Sequence, residues 1–136
     1  MTNIEKILSS LTDGLTEEQA EAVSYPPKGR LRISAGAGSG KTEVLTRRID
    51  ALLKQGIKPE ELVAITYTTK AASEMKDRLT DKRKILPSVL RKMEVATFHS
   101  FLSRFLKQDP FGAGIDSRPA PLYYYSNPLS LCIYSP

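Results

Sequence analysis

Three times along this chain an apolar, strand-like run passes through a short loop into a helical pattern, and the first of those loops is rich in glycine. That recurrence predicts an α/β fold in which right-handed crossovers build a small parallel sheet flanked by helices. The length agrees, since 136 residues suffice for one domain that buries about two-thirds of its unfolded surface.

Ile4, Ile7, Leu8 and Leu11 fall on one face of a short helix that Thr12-Asp13-Gly14 ends. A second helix follows over residues 15–23 with Thr16 as its N-cap. Gln19 has two readings there. Its spacing from Thr16 is that of a capping box, in which the side chain returns to the cap's own N–H. Alternatively its carboxamide, a donor beside an acceptor, matches the edge of an adenine. Tyr25-Pro26-Pro27 stops this helix.

Leu31, Ile33 and Ala35 predict a first strand, with Arg30 and Arg32 on its polar side. It feeds Ala35-Gly36-Ala37-Gly38-Ser39-Gly40-Lys41-Thr42, which reads as a phosphate-binding loop. Small residues let the backbone curl until consecutive N–H groups point inward, and the following helix adds its positive end. A triphosphate fits that hollow, with Lys41 on the β and γ phosphates and the Thr42 hydroxyl on a bridging Mg²⁺. Ala35 stands where the common pattern has Gly, a tolerated variant because the steric need falls on Gly36, Gly38 and Gly40. The plainer alternative is a glycine-rich turn with Lys41 solvated in the first helical turn. An ammonium there opposes the helix dipole, which a bound anion would explain.

Val44, Leu45, Ile49, Leu52 and Leu53 carry helical periodicity for about four turns. Gly56 closes that helix in the left-handed position, with Ile57 as its apolar follower and Pro59 blocking continuation. Residues 62–66 are a continuous apolar run, the mark of a strand covered on both faces. After Tyr67-Thr68-Thr69, a helix over 70–79 presents Ala71, Ala72, Met75 and Leu79; Asp81-Lys82-Arg83-Lys84 is its solvated end, and Pro87 breaks the chain beyond it. Val95-Ala96-Thr97 is a third strand, and Phe98-His99-Ser100 opens a helix with Phe101, Leu102, Phe105 and Leu106 inward. Ligands of parallel sheets gather at the carboxyl ends of the strands. Residues 66–69 and 97–100, hydroxyl-rich and holding Tyr67, Phe98 and His99, therefore join the glycine loop as candidates.

From about Pro110 the character changes. Five of the nine prolines and four of the six tyrosines lie from Pro110 onward, and residues 123–125 with 129–133 suggest at most one ill-defined strand. The expected division is thus residues 1–109 as the folded part and 110–136 as a proline- and tyrosine-rich tail. Lys107, Asp109, Asp116 and Arg118 cancel, so the whole net charge of +5 lies in the first 106 residues. That favours a polyanionic partner without deciding for one. Cys132 stands alone, with no partner for a disulfide or zinc site. No run is long and apolar enough to cross a bilayer, and the N-terminus lacks a secretory layout, so the expected location is the cytoplasm, with no membrane partner.

With these pieces in place, the chain resembles the UvrD/Rep type of superfamily 1 DNA helicase over residues 11–107, at the start of the ATP-binding motor domain. Leu15-Thr16-Glu17-Glu18-Gln19-Ala20-Glu21-Ala22-Val23 is similar to that family's Q motif, and residues 35–42 to its motif I. Ala64-Ile65-Thr66-Tyr67-Thr68-Thr69-Lys70-Ala71-Ala72-Ser73-Glu74-Met75 resembles motif Ia, and Ala96-Thr97-Phe98-His99-Ser100 motif Ib. The resemblance implies a P-loop NTPase, RecA-like three-layer fold. It implies ATP bound by Gln19 and by Ala35, Gly36, Ala37, Gly38, Ser39, Gly40, Lys41 and Thr42, with Lys41 catalytic and Thr42 on Mg²⁺. It also implies single-stranded DNA near Thr66, Tyr67, Thr69, Thr97 and His99. Tyr67 occupies a place usually held by Phe, and Thr69 one usually held by Asn.

The family follows motif Ib with an apolar strand ending in paired acidic residues, its Walker B motif, and later supplies transition-state arginines. Neither pattern follows Ser100 here. An arginine finger alone contributes about 10³ to 10⁵-fold, so these residues by themselves should bind a nucleotide better than they hydrolyse it. Three readings are open. The chain is the N-terminal piece of a DNA-dependent ATPase, working with the remaining helicase domains or another subunit; or a non-enzymatic module that binds nucleotide or single-stranded DNA and modulates a full-length helicase; or an unrelated P-loop enzyme such as a small kinase.

Overall fold

Hydroxyl side chains set where the first helices start. The computed structural model describes residues 2–28, 31–108 and 132–134. Helix α1 (Asn3–Thr12) is opened by a capping box between Thr2 and Glu5. Helix α2 (Glu17–Ser24) is opened by another between Thr16 and Gln19. Such caps satisfy N–H groups that a helix cannot pair internally, each worth about 1 kcal/mol.

Helix α3 (Lys41–Lys54) starts instead at a glycine and has no side-chain cap. It ends as expected. Gly56 sits at φ 95°, its N–H donating to the Leu53 carbonyl at 3.0 Å while Ile57 donates to Leu52 at 3.1 Å, the paired bonds of a glycine-terminated helix. A short 3-10 turn at Pro59–Glu61 leads into strand β1 (Val63–Thr66). Helix α4 (Thr69–Asp81) is capped by Thr68, whose hydroxyl accepts from the Ala71 N–H. Pro87 does not break structure but begins one, the single turn α5 (Pro87–Leu90), because a first-turn position needs no N–H. Strand β2 (Glu94–Thr97) runs directly into helix α6 (Phe98–Gln108).

The sheet has order β2-β1-β3, with β3 at Cys132–Tyr134. β1 and β2 are parallel, in register from Val63↔Glu94 to Thr66↔Thr97. β3 pairs antiparallel with the other edge of β1. Two expectations change here. The strand expected over residues 31–35 is not one: Leu31 and Ile33 are 44% and 48% exposed, and residues 31–36 have no assigned strand. Both edges of β1 are already paired, so its ladder has no place for a further strand. The parallel part of the sheet is therefore two strands rather than three. In the tail, where at most one strand is expected, β3 shares Cys132 and Ile133 with the expected stretch; the rest of the tail lies outside the described residues.

Helix α3 organises the core by burying two faces. Leu45, Ile49 and Leu52 pack with Leu62 and Ala64, with Met75 and Leu79 of α4, and with Val95 of β2. On its other side Val44 and Ala51 meet Leu11 of α1 and Ala22 and Val23 of α2. A buried aliphatic side chain of this size is worth about 1.5–3 kcal/mol, so α3 is the part of the chain least free to shift. α6 is less well covered than its pattern implies. Phe101, Leu102 and Leu106 are half-buried, but Phe105, expected inward, is 59% exposed, stacked on Phe101. Among the described residues no helix is long and apolar enough to cross a membrane.

Glu43, in the first turn of α3, ties three parts together. Its carboxylate accepts from Arg47 at 2.9 Å and from Arg83, beyond the end of α4, at 3.1 Å, with Lys82 at 3.9 Å. Arg47 in turn donates to the carbonyls of Leu11 and Asp13. Burial would raise the carboxyl's pKa, but the Arg47 hydrogen bond and the charges of Arg83, Arg47 and Lys82 outweigh it and hold the pKa below its ordinary value.

A depressed carboxylate contributes stability that is present above its unfolded pKa and lost as pH falls through the folded one. Glu43→Gln is expected to lower the melting temperature at pH 7, with the gap from the parent closing toward pH 3. A gap of equal size at both values would show that the carboxylate's charge is not what holds these helices.

Candidate functional site

The glycine loop turns on two left-handed residues, Gly38 at φ 75° and Gly40 at φ 80°. A residue with a side chain adopts that backbone only at about 1–2 kcal/mol. Space matters at Gly40 as well, where a Cβ would meet the Gln19 carboxamide nitrogen at 3.1 Å. At Gly36 the backbone is not left-handed and a Cβ would meet nothing within 4 Å. The steric need expected at Gly36, Gly38 and Gly40 thus falls on the last two.

Lys41 folds back over this loop. Its ammonium donates to the Ala35 carbonyl at 2.7 Å and to the Gly36 carbonyl, with the Ser39 hydroxyl 3.5 Å away. Ser39 Oγ itself donates to the Gly36 carbonyl at 2.7 Å. Residues 31–39, Ala37 among them, are exposed, and Thr42 is half-buried in the same helical turn as Lys41. Because α3 lacks a side-chain cap, its first-turn N–H groups and dipole face whatever occupies the loop.

Gln19 does two things at once. Its Oε1 accepts from the Thr16 N–H at 3.1 Å, completing the capping box, and its Nε2 donates to the Ser39 carbonyl at 3.0 Å. A carboxamide has two lone pairs and two N–H donors. One of each stays available, so the capping role and the base-reading role expected from sequence are compatible.

The other end of α2 is held by Arg48, two turns along α3 from Lys41. Its guanidinium donates to the carbonyls of Val23 and Pro26, each at 3.0 Å, and to that of Tyr25, and it lies 6.0 Å from the Tyr25 ring centroid. Burial pushes its pKa down, opposed by Tyr25.

A second group of residues sits where the parallel strands end. Thr66 and Thr97 are register partners, and both are buried with their hydroxyls used internally. Thr66 donates to the Thr68 carbonyl, and Thr97 binds the hydroxyl and N–H of Ser100. Beside them Tyr67, Thr69, Phe98 and His99 are exposed. Tyr67 is 40% and Phe98 48% exposed, and the Phe98 and His99 rings meet edge to face. Phe98 is a candidate by position at the strand end, although the family resemblance implies no DNA contact for it. The signal for it was present as a repeated pair, Thr66-Tyr67 and Thr97-Phe98, at the ends of neighbouring strands. Nothing in the spacing pointed to Arg48.

The UvrD/REP helicase N-terminal domain family matches this chain over residues 15–126. The ATP-dependent DNA helicase PcrA of Leuconostoc citreum is 42% identical over 109 residues, covering 79% of this chain and 14% of that protein. PcrA of Staphylococcus aureus (strain Mu50) is also 42% identical, over 80% of this chain and 14% of its own length. The putative ATP-dependent DNA helicase YjcD of Bacillus subtilis (strain 168) is 42% identical over 68% of this chain and 12% of its own length. The chain thus spans about one-seventh of the length of the PcrA relatives.

The two glycines at either end of the loop separate experimentally. Gly40→Ala is expected to cost about 1 kcal/mol or more in urea unfolding, because the added Cβ meets Gln19 and the φ is left-handed. Gly36→Ala, with neither obstacle, should cost less than about 0.5 kcal/mol. Equal losses would mean that the loop does not turn on Gly40.

Proposed function

Because the chain belongs to the UvrD/REP helicase N-terminal domain family, we propose that it is the ATP-binding N-terminal portion of a UvrD/Rep-like DNA helicase, a DNA-dependent ATPase that moves on single-stranded DNA. The observation that carries this reading is the convergence of Gln19, the left-handed glycines and Lys41 on the uncapped start of α3. On this reading residues 1–109 are part of a P-loop NTPase, RecA-like three-layer domain of the cytoplasm, and residues 110–136 are a tail that contributes β3 to the sheet. The remaining helicase domains or another subunit are its partners.

The donor set suits a nucleotide triphosphate. Lys41 and the first-turn amides supply positive charge, and the loop from Ala35 to Gly40 supplies a backbone close enough to wrap phosphate oxygens. The Lys41 ammonium already bonds to loop carbonyls and exchanges them for β and γ phosphate oxygens, where its charge counts for more. The Thr42 hydroxyl is the residue here that would hold a Mg²⁺, which would supply charge neutralisation to a bound triphosphate. Gln19 turns its spare acceptor and donor to the adenine.

Single-stranded DNA would lie across the carboxyl ends of β1 and β2. Tyr67 supplies a ring for stacking, and Thr69 and His99 polar contacts; the buried Thr66 and Thr97 shape the two turns from within. A second reading is a non-enzymatic module that binds nucleotide or single-stranded DNA through the same loop and strand ends and modulates a full-length helicase.

Lys41→Ala is expected to weaken ATP binding at least about ten-fold by titration calorimetry, the loss of one charge-assisted contact or more. Unchanged affinity in a folded sample would remove the basis of the proposal. ATP turnover by the same 136 residues, with and without single-stranded DNA, decides between the readings, since stimulated hydrolysis excludes the module. Tyr67→Ala should weaken oligo-dT binding by about 1–3 kcal/mol, the value of one stacked base, as read by fluorescence anisotropy.

A further inference from the structure

Helix α2 is short, 8 residues, and a helix of that length has no stability of its own in water. Its position is set by what it touches. Ala22 and Val23 pack against Val44 and Ala51 of α3 and Leu11 of α1, which sets the face that α2 buries, but these are small side chains and the seam is short. The Gln19 to Ser39 hydrogen bond is one contact between an exposed loop and a side chain that the proposed function also asks to read a base. That bond does not act at the C-terminal end of α2, where the helix would otherwise be held by packing alone.

Arg48 does. Its planar fork bonds to three carbonyls, of Val23, Tyr25 and Pro26, at the end of α2 remote from Gln19. Val23 is in the last turn of α2, where carbonyls carry the negative end of the helix dipole, and Tyr25 and Pro26 are the residues that leave it; a guanidinium engaged with all three resists both sliding and rotation. Lys41 and Arg48 stand on the same helix. One rigid element therefore carries the phosphate-binding ammonium and the clamp on the helix that bears the base-reading side chain.

We propose that Arg48 is a positioning residue for nucleotide recognition: it touches no nucleotide, yet by anchoring the far end of α2 it holds the Gln19 carboxamide in register with the phosphate loop and so sets the preference for adenine. This rests on the reading of Gln19 as the base reader. It is separate from that reading, since Gln19 could read the base whether or not Arg48 is what places it.

The test is a set of dissociation constants for ATP, GTP and inorganic tripolyphosphate, measured on the full chain and on Gln19→Ala, Arg48→Ala, Arg48→Lys and the Gln19→Ala/Arg48→Ala double variant. The parent is expected to prefer ATP, and Gln19→Ala to reduce the ATP-to-GTP ratio about ten-fold, the value of one or two hydrogen bonds. Arg48→Ala should reproduce that loss with tripolyphosphate affinity unchanged, and the double variant should lose no more than Gln19→Ala alone. Arg48→Lys keeps the charge but not the fork, and should fall between parent and Gln19→Ala. A parental ratio in Arg48→Ala, or in Arg48→Lys where the alanine variant does not fold, overturns the inference while Gln19 remains the reader. Tripolyphosphate affinity falling as far as ATP affinity also overturns it, since the effect would then be on the loop. No base preference in the parent, or none lost in Gln19→Ala, overturns the reading of Gln19 itself and this inference with it.

Discussion

The start of α3 is the constraint on which the rest of this structure depends. The chain can enter the helix from the glycine loop because Gly40 takes a left-handed backbone, and α2 can approach that point because Gly40 has no Cβ to meet Gln19. From there α3 runs for 14 residues with buried side chains on two faces, one set against β1, β2 and α4, the other against α1 and α2. Close-packed interiors resist the small shifts that a misplaced helix start would demand. The geometry of the loop and the packing of the core are thus a single requirement.

Much of this was readable from residues because it is local. The capping box at Thr16 and Gln19, the left-handed stop at Gly56 and the buried pattern of α3 depend on side chains within about one turn of each other, and all three stand in the structure. The failures share the opposite character. Leu31, Ile33 and Ala35 alternate as a strand should, but a strand exists only with a partner, and both edges of β1 are taken by β2 and β3. Phe105 has the periodicity of a core residue on a helix whose outer face nothing among the described residues covers. Pattern gives the face; it does not supply what packs on that face.

The candidate site divides along the same line. Lys41, Thr42 and the glycines are contiguous, so spacing alone is enough to propose them. Gln19 and the loop are brought together through space, and the bond from its carboxamide to the Ser39 carbonyl spans 20 residues. At the strand ends the hydroxyls and the rings separate by burial. Thr66 and Thr97 turn inward to close the two loops, while Tyr67 and Phe98 remain at the surface. The matching Thr-aromatic pairs mark two ends that lie level because β1 and β2 are parallel and in register.

The folded-back lysine links these observations electrostatically. An ammonium in the first turn of a helix is opposed by the dipole, and Lys41 relieves that by bonding to the carbonyls of Ala35 and Gly36. Those carbonyls are neutral acceptors, whereas a hydrogen bond to an ionised oxygen is roughly twice as strong. An anion in the loop would therefore gain the ammonium and the uncapped amides of α3 together, at the cost of two neutral contacts. Nothing equivalent is available to a cation or an uncharged ligand. A loop of this build favours an anion over a cation; which anion it favours would depend on what stands beside it, and the carboxamide of Gln19 stands there, bonded to the Ser39 carbonyl.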